Sequence, residues 1–142
     1  MARGLMLLFL ILVWAVVGLG CAKSGATAEE KKAALQVAMD TAKSDEAVGP
    51  NIIEMREAHG KMVVIIKPGV HPQSQSDFIQ KVGVAWFQAY PEGKKPTKND
   101  MVQVWLYETD ESKDDLGMVQ LWTDQYGEMQ MNFHHYKTQP IL

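Results

Sequence analysis

The four histidines are the side chains best suited to metal binding or to acid–base chemistry near neutral pH. His134 and His135 are adjacent in an alternating segment, so on a strand they point to opposite faces and cannot readily hold one metal ion. His59 falls in a predicted turn, and His71 precedes a predicted helix. We therefore predict no metal site and no cofactor. The histidines are expected at the surface or at strand edges, with pH sensing as the alternative.

Carboxylates crowd a predicted loop between two strands. The acidic residues there are Glu108, Asp110, Glu111, Asp114 and Asp115. Loops rich in oxygen ligands can bind Ca²⁺, and the spacing from Asp110 resembles the start of an EF-hand loop. Asp115, however, replaces the turn glycine of that motif, and Leu121 stands where a bidentate Glu is required. The pattern favours a solvated hairpin tip over weak, adventitious Ca²⁺ binding.

The charge balance argues against nucleic-acid binding. The chain has 17 Asp and Glu against 14 Lys and Arg, a net charge of −3, whereas nucleic-acid binding requires a basic face. One short loop is basic through Lys94, Lys95 and Lys98. It could lie on anionic lipid headgroups, although lysines in such a Pro/Gly-rich loop are more often simply solvated.

Nucleophilic catalysis has little support in the sequence. Cys21 is the single cysteine, so no intramolecular disulfide can form. The chain contains no G-x-S-x-G elbow, no G-x-G-x-x-G fingerprint and no G-x-x-x-x-G-K-[ST] phosphate loop. Ser74 and Ser76 lie near His71, but helix capping explains them more simply. We predict a protein that is not an enzyme, with a hydrolase built from spatially assembled carboxylates as the weaker alternative.

Aromatic side chains on two predicted strands support the one binding hypothesis that names a specific surface. Two predicted strands alternate so that Trp105, Tyr107, Trp122 and Met118 would share one sheet face if these strands pair. Aromatic residues and Met are favoured at binding surfaces. The alternative is that this face packs beneath a helix and the Val/Leu face points outward.

Five segments are predicted to be strands because apolar residues alternate or run together in them. The first pair, at 51–58 and 61–67, would be joined at His59 and Gly60, and its second member is a β-branched run typical of a central strand. Three later strands are predicted at 101–108, 117–123 and 128–135, with a compact turn at 124–127 between the last two.

The main helix is predicted at 74–90. Phe78, Val82, Ala85 and Ala89 form one apolar stripe, and Ser74 with Asp77 resembles a capping box. Together these elements predict an α+β fold: a small antiparallel sheet of about five strands, in the order ββαβββ, with one main helix packed on it.

The first twenty residues have the composition of an export signal. Arg3 is followed by thirteen uncharged apolar residues at 5–17, which suits a signal-peptide core and is short of the roughly 20 residues that a membrane span needs. Gly18, Leu19 and Gly20 then lead to Cys21. A small residue before a lone Cys, directly after an apolar core, resembles the lipobox of bacterial lipoproteins. Leu19 departs from the pattern, which favours a small residue at that place.

The resemblance covers residues 1–21 only and implies a route. In that family the Cys thiol receives diacylglycerol, the peptide is cut before the Cys, and the new amine is acylated. Cys21 would thus become the lipidated first residue of the mature protein, a stable anchor. Ala22 in the next place resembles outer-membrane sorting in Gram-negative cells. An uncleaved anchor or ordinary secretion is the alternative, and each route leads out of the cytoplasm.

The remaining chain is expected to divide into three parts. Residues 21–50 are rich in Ala, Lys, Glu, Ser and Asp and are predicted to be a partly helical stalk, the alternative being a helix that docks on the domain or on a partner. Residues 51–136 would form the globular domain, and 137–142 a tail.

The expected function is a membrane-anchored, non-catalytic envelope lipoprotein that binds a protein or other envelope component. The alternative is an accessory module that binds a metal or small ligand.

Overall fold

A computed structural model describes residues 25–112 and 114–136. The predicted signal peptide, Cys21 and the 137–142 tail lie outside the described residues. The elements, in chain order, are α1 (Ala28–Ser44), a 3₁₀ turn (Gly49–Asn51), β1 (Ile52–Ala58), β2 (Lys61–Ile66), α2 (Pro72–Ala89), β3 (Val102–Glu108), β4 (Gly117–Thr123) and β5 (Met129–His135).

The five strands form one sheet in the order β1-β2-β3-β4-β5. This confirms the predicted α+β class and strand sequence. The β2–β3 pair is parallel, while the other three pairs are antiparallel, so the sheet is mixed and the prediction of an antiparallel sheet is wrong for this one pair. The reason is topological: α2 carries the chain back along the sheet before β3 begins, which is how two parallel neighbours must be connected.

The core lies between one sheet face and the helices. Phe78 and Val82 of the predicted stripe are fully buried, as is Ile79 beside them, while Ala85 and Ala89 are partly buried. Gly83 faces β4 so closely that a Cβ there would lie 2.5 Å from Val119 Cγ1. Glycine therefore lets the helix approach the sheet.

The helix begins two residues earlier than predicted. Its N-cap is His71, whose Nδ1 accepts a hydrogen bond from the Gln73 amide, and Pro72 occupies the first turn. The predicted capping box is wrong because Ser74 lies inside the first turn. His71 thus has a structural role.

The predicted stalk is wrong for residues 28–50, and the docking alternative is observed. Ala34, Ala38 and Ala42 of α1 are fully buried in the same core cluster as α2. Small side chains let the two helices approach closely, so a stripe that looked thin in sequence suffices to dock α1. Asp45 after the helix then bonds Lys81 of α2, at 2.6 Å.

No helix in the part of the chain that the structure describes is long and apolar enough to cross a membrane.

Candidate functional site: the helix-free face of the sheet

The sheet has two unlike faces. Both helices share a core cluster with Met62, Val64 and Ile66 of β2, which point to one side. Val63 and Ile65 point to the other side, where they pack with Tyr107 and Trp105. Neither of the two helices in residues 25–112 and 114–136 packs on this second side, and we call it the helix-free face.

The four predicted binding residues all lie on the helix-free face. Trp105 and Met118 are direct partners in the β3–β4 register, and Tyr107 and Trp122 follow at two-residue or four-residue steps on the same strands. Trp105 and Trp122 are partly exposed, whereas Tyr107 and Met118 are only 9% and 3% exposed. The two tryptophans are therefore available to a partner, and the other two support them.

Trp105 is held in place from three directions. The Lys61 Nζ lies 4.0 Å from the centroid of its ring, a cation–π contact. Its Nε1 donates a hydrogen bond to Gln103 Oε1, at 3.2 Å. The His134 ring meets it edge to face, with centroids 6.3 Å apart. Side chains of β2, β3 and β5 thus hold Trp105 in one orientation.

His134 extends the cluster to β5. Its ring lies 4.6 Å from that of the exposed Tyr136, and its Nε2 lies 3.3 Å from Asp115 Oδ1. His134 is also the β5 partner of Met118, so Met118 lies between His134 and Trp105 on neighbouring strands. This placement explains why Met118 is buried although neither α1 nor α2 covers it.

A row of side-chain amides crosses the same face. Asn132 Nδ2 donates to Gln120 Oε1 at 2.9 Å, and Gln120 Nε2 donates to Gln103 Oε1 at 3.1 Å. The three residues are successive partners across β5, β4 and β3. The row runs from the middle of the sheet to its β5 edge.

Sequence reasoning missed Lys61, Gln103 and His134 as members of this cluster. The alternation of 128–135 predicts that His134 lies on one face of its strand, but it does not predict which strands lie beside that strand. Lys61 joins only because β2 pairs with β3, where Lys61 is the partner of Gln103. The predicted helix between these two strands is the signal that could have indicated the parallel pair, because a strand–helix–strand segment connects parallel neighbours.

The acidic loop does not converge on one point. Glu111 pairs with Arg56 of β1, Asp115 faces His134, and Asp110 accepts hydrogen bonds from the amide and hydroxyl of Ser112. Within residues 25–112 and 114–136, no three His, Cys, Asp or Glu side chains form a group that could hold a metal ion. The loop carboxylates instead contact the two edge strands, β1 through Arg56 and β5 through His134.

Two lysines of the basic loop have structural roles. Lys95 Nζ donates to the carbonyls of Gln88 and Tyr90, which satisfies the end of α2. Lys94 bonds Glu30 at the start of α1, at 2.9 Å. The loop thereby connects the two helices, whereas Lys98 is exposed and lines a groove.

A groove of about 600 Å³ lies at one end of the sheet. Trp86 and Tyr90 of α2 contribute aromatic surface to it, with Leu35 and Met101 beside them. Its charged lining residues are Lys31, Lys32, Glu57, Lys98 and Asp100. Burial, and then the carboxylates of Asp100 and Glu57, raise the pKa of the Tyr90 hydroxyl, so it stays protonated.

The remaining histidines are dispersed. His59 lies in the β1–β2 turn with φ of 54°, and it borders the groove. His135 points to the helix side, where its Nε2 lies 2.9 Å from Gln75 Oε1. His134 and His135 thus face opposite ways, as the alternation predicted.

Comparison of the chain with protein-family models, with curated proteins and with solved structures found no match.

Proposed function

We propose that this chain is a lipid-anchored, non-catalytic protein of the cell envelope. Cys21 carries the anchor, and the helix-free face binds a protein or other envelope component. The observation that carries the binding proposal is the contrast between the faces: one is covered by two helices, while the other presents Trp105 and Trp122 partly exposed.

The rigidity of this face favours binding. Ordering a flexible side chain at an interface costs about 0.5–1.5 kcal/mol. Lys61, Gln103 and His134 already hold Trp105 in one position, and strands hold all of them. A partner therefore meets a preformed aromatic surface, the kind of residue that dominates binding energy at protein interfaces.

The proposed anchor places this surface near a membrane. Cys21 precedes Thr27, the N-cap of α1, by six residues. Six residues span at most about 22 Å when fully extended. Because α1 is part of the folded unit, the domain would stay within that distance of the lipid, where its partners would be other envelope components.

Site-specific photo-crosslinking in intact cells tests the binding proposal. A photoreactive phenylalanine analogue replaces Trp122 in the full-length chain, and a matched variant carries it at Val37, which is 46% exposed on α1. We expect one envelope component to be captured from position 122 and not from position 37. Equal capture from both positions, or none from 122, would contradict a binding role for this face.

A second variant, Cys21→Ala, tests the anchor. We expect the parent chain to carry acyl mass and to lack residues 1–20. The altered chain should carry no acyl mass and should keep those residues, because the cut before Cys21 follows acylation of its thiol. A parent chain that is membrane-bound, without acyl mass and uncut would show that the apolar segment at 5–17 is an uncleaved anchor.

The groove supports a second candidate function, the binding of a small ligand. Its aromatic surface and three lysines suit an anion with a flat apolar body. Melting of the purified chain with a panel of aromatic carboxylates tests it, because a ligand that binds only the native state raises the melting temperature. No shift with any member at millimolar concentration would exclude this ligand class.

A further inference from the structure

A surface depression of about 550 Å³ adjoins the helix-free face where β4 ends and β5 begins. Trp122 belongs to both, since it lies on that face and lines the depression. Tyr126, in the turn between the two strands and 79% exposed, lines the depression beside Asn99 and Gln125. The 137–142 tail follows the opposite end of β5. The depression thus combines two aromatic residues with two residues that carry side-chain amides.

The amide row lies next to this depression, between the two tryptophans. Gln120 is two residues before Trp122 on β4, and its partner Gln103 is two residues before Trp105 on β3. Because the two strands are antiparallel, the tryptophans lie on opposite sides of the row. Two residues rise about 7 Å along a strand, which places each ring about that far from the row. The surface therefore has hydrogen-bonding groups in its middle and an aromatic ring on either side.

The amides of the row retain hydrogen-bonding capacity. A primary amide has two N–H donors and an oxygen that accepts twice. In the part of the chain that the structure describes, the Gln103 oxygen accepts from Trp105 and Gln120, and both of its own N–H donors remain. Gln120 and Asn132 each use one of their two N–H donors. These groups can reach a ligand, since Asn132 is exposed and the two glutamines are partly exposed.

The charges around this surface are balanced or engaged. The charged lining residues of the depression are Asp124 and Lys98, which have opposite signs. Asp124 also accepts two backbone amides of its own turn and the Gln130 Nε2. At the inner end of the row, Lys61 Nζ lies over the Trp105 ring. The surface therefore complements a ligand that is polar and uncharged.

This layout differs from that of a protein interface. Protein interfaces have an apolar centre and a polar rim, whereas here the polar row lies at the centre. A protein partner would have to match every amide of the row, because buried polar groups left without a partner weaken binding. A sugar chain meets both requirements in each unit. The C–H groups on the faces of a sugar ring pack on aromatic side chains, and its hydroxyl groups bond amides.

We propose that the depression and the amide row bind an uncharged glycan chain of the cell envelope. One sugar ring stacks on Trp122 in the depression, and the chain continues across Gln120 and Gln103 toward Trp105. The two tryptophans are about 14 Å apart along the strand direction, so the ligand is an oligomer and not a single sugar. This inference rests on the proposed function, since it names the component that the helix-free face binds.

A binding titration of the purified full-length chain, followed by NMR of the sugar protons, tests the proposal. The chain is kept in a detergent without sugar groups. The probes are three hexamers: β-linked glucose, β-linked N-acetylglucosamine and the anionic galacturonic acid. We expect at least one of the two uncharged hexamers to bind, and the anionic hexamer to bind at least tenfold more weakly.

Two variants of the amide row are compared with a matched control. Gln120→Leu removes the central amide at nearly constant size and is expected to weaken binding at least tenfold. Gln36→Leu is the control, because Gln36 also donates to a neighbouring side chain, Asp40, but lies on α1. Its affinity should equal the parent's. Asn132→Ala, at an exposed position, is expected to weaken binding about threefold, and it decides the matter if Gln120→Leu lowers the melting temperature.

Four results would overturn the proposal. These are no binding of either uncharged hexamer at millimolar concentration, equally tight binding of the anionic hexamer, unchanged affinity in both row variants, and an equal loss in Gln36→Leu.

Crosslinking from position 122 in intact cells separates this failure from failure of the proposed function. We expect an adduct that a glycoside hydrolase shortens. An adduct that contains a protein and no sugar would overturn the glycan but keep the helix-free face as a binding surface.

Discussion

The Trp105→Ala variant tests whether Trp105 is a binding residue or a core residue. Three polar or aromatic contacts are lost: the cation–π contact with Lys61, the edge-to-face contact with His134 and the hydrogen bond to Gln103. Each such contact contributes about 0.5 kcal/mol at the lower end of its range, the end that applies to a partly exposed side chain. Packing against Val63, Ile65 and Tyr107 is also reduced. We therefore expect Trp105→Ala to lower the free energy of unfolding by at least about 1.5 kcal/mol.

The matched control is Trp86→Ala. Trp86 is 3% exposed in the core between helix and sheet, and truncating a core tryptophan costs about 3–5 kcal/mol. Urea denaturation of the purified chain in detergent, followed by circular dichroism, measures both variants without relying on tryptophan fluorescence. In a domain of this size a loss of 1.5 kcal/mol corresponds to a fall in Tm of roughly 6 °C.

The binding proposal adds a second requirement. Trp105→Ala should lower partner capture from the Trp122 crosslinking position while the unfolding transition stays cooperative. A cost as large as that of Trp86→Ala, or loss of the cooperative transition, would show that Trp105 is core and would refute the reasoning.

Three further predictions concern the folded unit. Gly83→Ala should destabilise by about 1–3 kcal/mol through overpacking against Val119, despite the better helix propensity of alanine, and an unchanged urea midpoint would contradict this close approach. Deleting 22–44 should abolish cooperative unfolding, whereas a true stalk would leave it intact. Burial opposes ionisation of the Asp45 carboxyl, but the bond from Lys81 and the backbone amides after the helix lower its pKa below the ordinary value. The ionised carboxylate therefore stabilises the folded chain above about pH 4, and this stabilisation is lost as the pH falls further. Asp45→Asn should therefore unfold more easily at neutral pH and show a weaker acid dependence in urea titrations between pH 5 and about 2.

Local patterns were enough to predict most elements of the sheet and the main helix. Alternation in 101–108 and 117–123 reflects one buried and one open face, and the stripe through Phe78 and Val82 reflects one buried helix side. These patterns depend on neighbours within one strand or one helical turn. They can therefore be read before any long-range contact is known.

The docking of α1 could not be read this way. The buried side of α1 consists of three alanines. Alanines add little apolar surface and also occur on helices that face solvent. Their importance arises only when a second helix lies against them, because small side chains then allow close packing. The predicted stalk was wrong for this reason.

The sequence by itself determined which side chains share a face: Trp105 with Tyr107, and Met118 with Trp122. Only the tertiary structure decided that this face is the one without helices, and that Lys61 and His134 complete it. The physical reason is range. A side chain's direction follows from the two-residue period of its own strand, whereas its surroundings depend on pairings between strands and helices that are distant in the chain.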